Sequence, residues 1–184
     1  MYTVQEPAVQ RFRTSLHLLN DATSTFQRTC AERSAQFLAD EEVTRFLSER
    51  NVSADELYAR YRTRTLAPDC QRDFAIFLED SHIGHCSLHM IEVGDRSASL
   101  TIVLGDRSKQ QKGLGGEVML QLEEYARSEL ELSLLWLTVS ALQGYAVRFY
   151  RDLGYRPHRF GIQKGCWDDQ DGNPRDSWCL AKRL

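Results

Sequence analysis

The segment Gln110-Gln111-Lys112-Gly113-Leu114-Gly115-Gly116 constrains this chain more than any other. It follows an apolar run, Ser97 to Leu104, that reads as a strand. It precedes Leu114, Val118, Leu122 and Tyr125, which recur at helical spacing. A chain that leaves a strand through glycines and enters a helix exposes the first helical amides. Those amides and the helix dipole favour an anion. Glycines let the backbone approach phosphate oxygens with no Cβ in the way.

The flanking pattern is mixed α/β. Ser15 to Leu19 is a short strand, and Asn20 and Asp21 supply a turn or cap. Phe26, Cys30 and Phe37 then repeat at helical spacing. Ser53 and Glu56 fit a capping box ahead of Leu57 and Tyr61. The first third is therefore one strand and two or three helices. Phe74 to Leu78 is an apolar run, Glu79-Asp80-Ser81 a hairpin connection, and Ile83 to Ile91 the next strand. After a turn at Gly94-Asp95, Ser97 to Leu104 forms a fourth strand, with Leu100, Ile102 and Leu104 on one face.

Beyond the glycines, Leu134 to Val139 reads as a strand buried on both faces. Ala146, Phe149, Tyr150 and Leu153 form a second amphipathic helix that Gly154 ends. Phe160 to Trp167 and Ser177 to Ala181 pair as a hairpin around Asp171-Gly172-Asn173-Pro174. The expected order is an antiparallel meander, a helix, a buried strand, a helix and a terminal hairpin.

Length and charge narrow the classes. The 184 residues suit a single domain, 1–184. No apolar run is long enough for a membrane span. Met1 to Arg13 lacks the apolar core of a signal peptide, so a cytoplasmic location is expected. With 23 Lys+Arg against 26 Asp+Glu, there is no basic surplus to grip nucleic acid. Cys30, Cys70, Cys86, Cys166 and Cys179 are odd in number and scattered, as free thiols in a reducing compartment are.

Three ligands compete for the glycine loop. A Walker loop needs Gly-Lys-Ser/Thr, but Glu117 and Val118 follow Gly116. A dinucleotide fingerprint fits Gly113 and Gly115 but finds Val118 in third place, after a meander rather than a βαβ unit. The Q-x-x-G-x-G loop that holds a coenzyme A pyrophosphate matches Gln110, Gly113 and Gly115. A turn with no ligand stays open beside it.

Taken in order, these motifs resemble the GCN5-related N-acetyltransferase (GNAT) superfamily. The branch they look most like contains ribosomal-protein N-terminal acetyltransferases and spermidine acetyltransferase. The likeness runs from Ile83-Gly84 through Ala98 to Asp106 and Gln110 to Gly116. It continues in Leu137-Thr138-Val139, Ala146-x-x-Phe149-Tyr150 and Leu153-Gly154-Tyr155. The fold it implies is a mixed, mostly antiparallel sheet with splayed fourth and fifth strands and helices on both faces.

The resemblance also implies roles. Backbone groups of Ile102, Val103 and Leu104 would pair with a pantetheine arm. Amides from Gln111, Lys112, Gly113, Leu114, Gly115 and Gly116 would hold the pyrophosphate of acetyl-CoA, the cosubstrate. Tyr150 falls on the tyrosine that protonates the departing thiolate. Two positions depart from the family. Gln143 stands where Asn is usual before the second helix. Ser99 stands where many relatives carry Glu on the fourth strand, and a serine has no usable basicity near neutral pH.

The implied reaction transfers acetyl to a primary amine of a small molecule or peptide: a protein N-terminus, polyamine, amino sugar or other amine. It needs no metal, nucleic acid or membrane, and homodimers are common among relatives. His85 and His89 share a strand face but stand ~13 Å apart, too far for one zinc. His82, His85 and His89 are thus solvated or core-edge residues, any one of which could serve as a base. Asp168, Asp169, Asp171 and Asp176 form either a solvated turn or a border that attracts ammonium, and Trp167 lines an acceptor pocket or covers the sheet. A non-catalytic acyl-CoA-binding module on the same fold is the alternative that Ser99 and Gln143 keep alive. Nucleotide binding through the loop is a third.

Overall fold

Alternating side chains from Gln71 to Leu104 build a three-strand meander: β2 (Gln71–Leu78), β3 (Ser81–Glu92) and β4 (Ser97–Leu104). A computed structural model describes residues 12–47, 49–66, 70–168 and 174–184. β1 (Thr14–Leu18) adds to the β2 edge, and β5 (Leu134–Ser140) pairs with β4 in parallel. β6 (Arg156–Asp168) and β7 (Pro174–Arg183) form the terminal hairpin. Its second strand inserts beside β5, so the order is β1-β2-β3-β4-β5-β7-β6. The mixed sheet expected from sequence is therefore present, with every pairing antiparallel except β4–β5.

The described residues form five α-helices: α1 (Ser24–Leu38), α2 (Glu41–Thr44), α3 (Ala54–Leu66), α4 (Leu114–Ser128) and α5 (Gly144–Asp152). Their starts follow from short polar residues. Thr23 Oγ1 accepts from Phe26 N, Asp40 Oδ1 from Glu42 N, and Ser53 Oγ from Glu56 N. On one face of the sheet, Phe74, Ile76, Leu88 and Leu100 pack against Val118, Met119 and Leu122 of α4. On the other, Ala75 packs with Cys30 and Leu38 of α1 and Leu57 and Tyr61 of α3. Leu19 closes that second core. Each face thus buries its own apolar side-chain set.

β5 departs from expectation. Leu135, Leu137 and Val139 are buried, but Leu134 and Trp136 are half-buried and Thr138 is exposed. The α1–α3 layer contacts β2 and β3, so the second face of β5 is only partly covered. Gly154 does end α5, at φ +95°, a backbone that L side chains rarely adopt. Asp169, Asp171, Gly172 and Asn173 lie outside the described residues. Cys30, Cys70, Cys86 and Cys179 are free thiols.

Candidate functional site

Parallel pairing of β4 with β5 covers only Ser97–Leu134, Ala98–Leu135 and Ser99–Trp136. Beyond Ser99 the two strands part. Gly105 N donates to Ile83 O at 2.9 Å, which sets the antiparallel alternation along β4. Val103 and Thr101 then turn their polar backbone groups toward β3, opposite His85 and Ser87. Ile102 and Leu104 turn theirs toward the gap. The backbone of Val103 therefore faces β3, while the residue still lines the groove.

The gap continues into the glycine loop. Gln110 Nε2 donates to Leu104 O at 2.7 Å, so this side chain folds back to close the strand end. Gln111 (φ 57°) and Gly113 (φ 79°) both adopt the left-handed region. Gly113 is the N-cap of α4 and supplies no side-chain cap. Gly116 N and Glu117 N donate to Gly113 O, which leaves the preceding amides of Leu114 and Gly115 without a helical partner. Arg13, immediately before β1, braces the loop: its Nη2 donates to Lys112 O at 3.0 Å and its Nε to Glu117 Oε1 at 2.6 Å.

The result is a groove of about 310 Å³. Ile102, Val103, Leu104 and Gln110 line it from β4 and the strand end. Gln111, Gly113, Gly115 and Gly116 line it from the loop, and Gln143, Ala146, Phe149 and Tyr150 from α5. The remaining wall is Glu42, Val43, Phe46, Leu47 and Tyr145, which sequence reasoning did not single out. Two of the expected loop residues lie outside it. Lys112 is exposed, and Leu114, the first residue of α4, is buried in the core.

Tyr150 is half-buried, its ring edge-on to Phe149 at 5.1 Å. Burial pushes its phenol up to about 12, so it stays protonated at neutral pH. Gln143 occupies the N-cap position of α5 without making a side-chain cap bond.

A second cavity, about 510 Å³, lies between α1–α3 and the sheet. Leu47 and Val103 line both this cavity and the groove. Its polar wall comes from distant segments. Arg64 of α3 places Nη1 2.9 Å from both oxygens of Asp73 on β2, and Gln71 Nε2 donates to Asp73 Oδ1. Burial raises the Asp73 pKa, and Arg64 opposes that shift. Arg60 pairs with Glu49 at 2.7 Å. His85, Ser87 and His89 of β3 and Thr101 of β4 complete the floor.

Ser99 lines neither cavity. It is buried in the sheet, opposite His89. His82 lines neither: its Nε2 is 2.7 Å from Gly84 O and its ring stacks on Phe77. Asp176 is exposed on β7, while Trp167 and Asp168 belong to β6. Among the described residues no three His, Cys, Asp or Glu side chains form a metal-sized group. No helix among them is long and apolar enough to cross a membrane.

A splayed β4–β5 pair feeding a glycine loop defines a class, and the comparisons give the family. The family model of the acetyltransferase (GNAT) domain matches residues 4–156, so the chain belongs to the GNAT acetyltransferases. Spermidine N-acetyltransferase from Vibrio cholerae, in complex with CoA and spermine, superposes with a TM-score of 0.76 at 20% identity. That match covers 93% of this chain and 95% of the other. A GNAT-family acetyltransferase from Streptococcus pneumoniae gives 0.71 at 20% identity, over 93% and 99%. At such identity the likeness establishes the fold. No curated protein sequence matches.

Proposed function

We propose that this protein is an acetyl-CoA-dependent N-acetyltransferase acting on a primary amine, with the chain as a single catalytic domain. The observation that carries the reading is a pair of differently built cavities whose walls share Leu47 and Val103. One is an unpaired strand edge leading to free helix amides, and the other is a pocket of mixed polarity. The CoA and spermine held by the Vibrio cholerae neighbour accord with a donor and an acceptor meeting on this fold.

The groove fits a pantetheine arm and pyrophosphate. Ile102 offers its N–H and C=O, and Leu104 its N–H, groups that a neighbouring strand would otherwise take, while Gln110 already holds the Leu104 carbonyl. The amides of Gly113, Leu114 and Gly115 suit phosphate oxygens. A Cβ on Gly115 would stand 3.3 Å from the Phe149 ring and 3.7 Å from Leu104, narrowing the passage, while Gly116 has open space. Acetyl-CoA supplies an activated acyl group when bound. The chain aligns it with the amine nitrogen, and Tyr150 donates its proton to the sulfur as the C–S bond breaks. The amine attacks directly, without a covalent intermediate on the enzyme.

The test is an amine panel of spermine, putrescine, glycylglycine, glucosamine and benzylamine, with CoA release followed by mass spectrometry. Acetylation of at least one amine is expected. Binding of acetyl-CoA with no turnover on any of them would identify a binding module instead.

A further inference from the structure

Acyl transfer to an amine leaves a proton to be removed. The nitrogen bonded to the acyl carbon carries a surplus proton until a base takes it. We propose that His89 receives this proton through the hydroxyl of Thr101, an inference that rests on the acyl-transfer reading above.

The three histidines of β3 stand in different surroundings. His82 is engaged by Gly84 O and walled by Phe77 and Phe37, outside both cavities. His85 lines the cavity, but its buried Nδ1 has no partner among the described residues. Burial alone pushes its pKa down to about 4, and no carboxylate stabilises an imidazolium there. His89 also lines the cavity, with Nε2 3.1 Å from Thr101 Oγ1. Burial lowers its pKa too, but the Asp73 carboxylate on β2 favours the charged ring and Arg64 on α3 opposes it. The cavity's other ions, Glu49 and Arg60, pair with each other. On β4, Thr101 is the hydrogen-bond partner of His89, and Ser99 is its register neighbour.

Position supports the same pair. His89 faces Ser99, the last β4 residue held by β5. Thr101 stands two residues on, beside Ile102 of the groove. The β3–β4 register slips immediately after His89, and Met90 at the cavity wall takes φ 51°. Bulges and left-handed non-glycine residues concentrate at functional sites, where they re-aim side chains.

The step balances. The amine lone pair forms the C–N bond and the C–S bond breaks toward sulfur, which takes the Tyr150 proton. The nitrogen's surplus proton passes to Thr101 Oγ1 while the Thr101 proton passes to His89 Nε2. Solvent then takes the proton from His89 and restores that of Tyr150. A neutral His89 bearing its hydrogen on Nδ1 has Nε2 free to accept.

The test uses the panel amine that wild type acetylates fastest, in single turnovers across pH. His89→Gln should lower the rate at neutral pH by about 10²-fold, within the span of general base catalysis, and the gap should close toward alkaline pH. Imidazole added to His89→Ala should restore rate. Thr101→Val keeps the shape of an exposed side chain, so it tests the relay even where a His89 variant folds poorly; it should show the same pH-dependent loss. Acetyl-CoA affinity should be unchanged in all three. A wild-type rate and pH profile in His89→Gln would overturn the proposal. So would a loss equal at every pH and unrescued by imidazole, which marks a structural role. Failure of wild type on every amine would instead sink the acyl-transfer reading, and this inference with it.

Discussion

The groove and the cavity share Leu47 and Val103 but are made of different material. One wall of the groove is backbone: a strand edge, left-handed residues and helix amides between Ile102 and Gly116, faced by residues of α5 and of the segment from Glu42 to Leu47. The cavity is side chain: ion pairs, imidazoles and hydroxyls gathered from α3, β2, β3 and β4. Backbone recognition tolerates most substitutions as long as the turn geometry survives. Side-chain recognition changes with each substitution. On the proposed function, the groove would serve a donor common to the family and the cavity the particular acceptor.

Variants on either side should separate these roles. The largest effect is expected from Tyr150→Phe. Removing the phenol should lower the single-turnover rate by ~10²–10⁴-fold, with acetyl-CoA affinity kept because Phe preserves the packing. An unchanged rate would reduce Tyr150 to a packing residue.

Arg64→Met should come next, on the cavity side. It leaves the Asp73 carboxylate, only 10% exposed, without its cation. Breaking a buried pair costs ~3–5 kcal/mol, and the loss here should lie at the lower end because Arg64 is itself 29% exposed. The urea midpoint should fall and the amine KM rise, while acetyl-CoA affinity stays. Equal losses for donor and acceptor would erase the division between the two cavities.

A smaller effect is expected from acid. His82 and His85 are both pushed down to about 4 by burial, from an ordinary 6.5. Between those values the unfolded chain binds more protons than the folded one, so stability falls as pH drops through that window and is fully present above it. His85→Gln should flatten the slope of urea midpoint against pH. An unaltered slope would show that His85 is hydrated and titrates normally.

The same contrast explains what the sequence made legible. Ser97 to Leu104, the three glycines and the Leu114-Val118-Leu122 stripe lie next to one another in the chain. Local periodicity and turn chemistry therefore placed the strand, loop and helix. Gly154 was legible for the same reason. The cavity was not, because its contacts cross the chain: Asp73 meets Arg64 through a sheet-to-helix contact, and Thr101 meets His89 only once the β3–β4 register is known. Arg13 reaches Glu117 over 104 residues, with nothing in either neighbourhood to announce it. Leu134 to Val139 misled for a related reason. An apolar run reports what could be buried, whereas the reach of the α1–α3 layer decides what is. The insertion of β7 between β5 and β6 likewise depends on pairing at a distance.

Calorimetric titration of acetyl-CoA into wild type and Gly113→Val tests the central claim most directly. Gly113 sits at φ 79°, where a β-branched residue is strained by ~1–3 kcal/mol, and its amide faces the proposed phosphate site. Saturable wild-type binding is expected, weakened tenfold or more in the variant, equivalent to about 1.4 kcal/mol. No wild-type binding at millimolar acetyl-CoA, or equal binding by a folded Gly113→Val, would contradict the account.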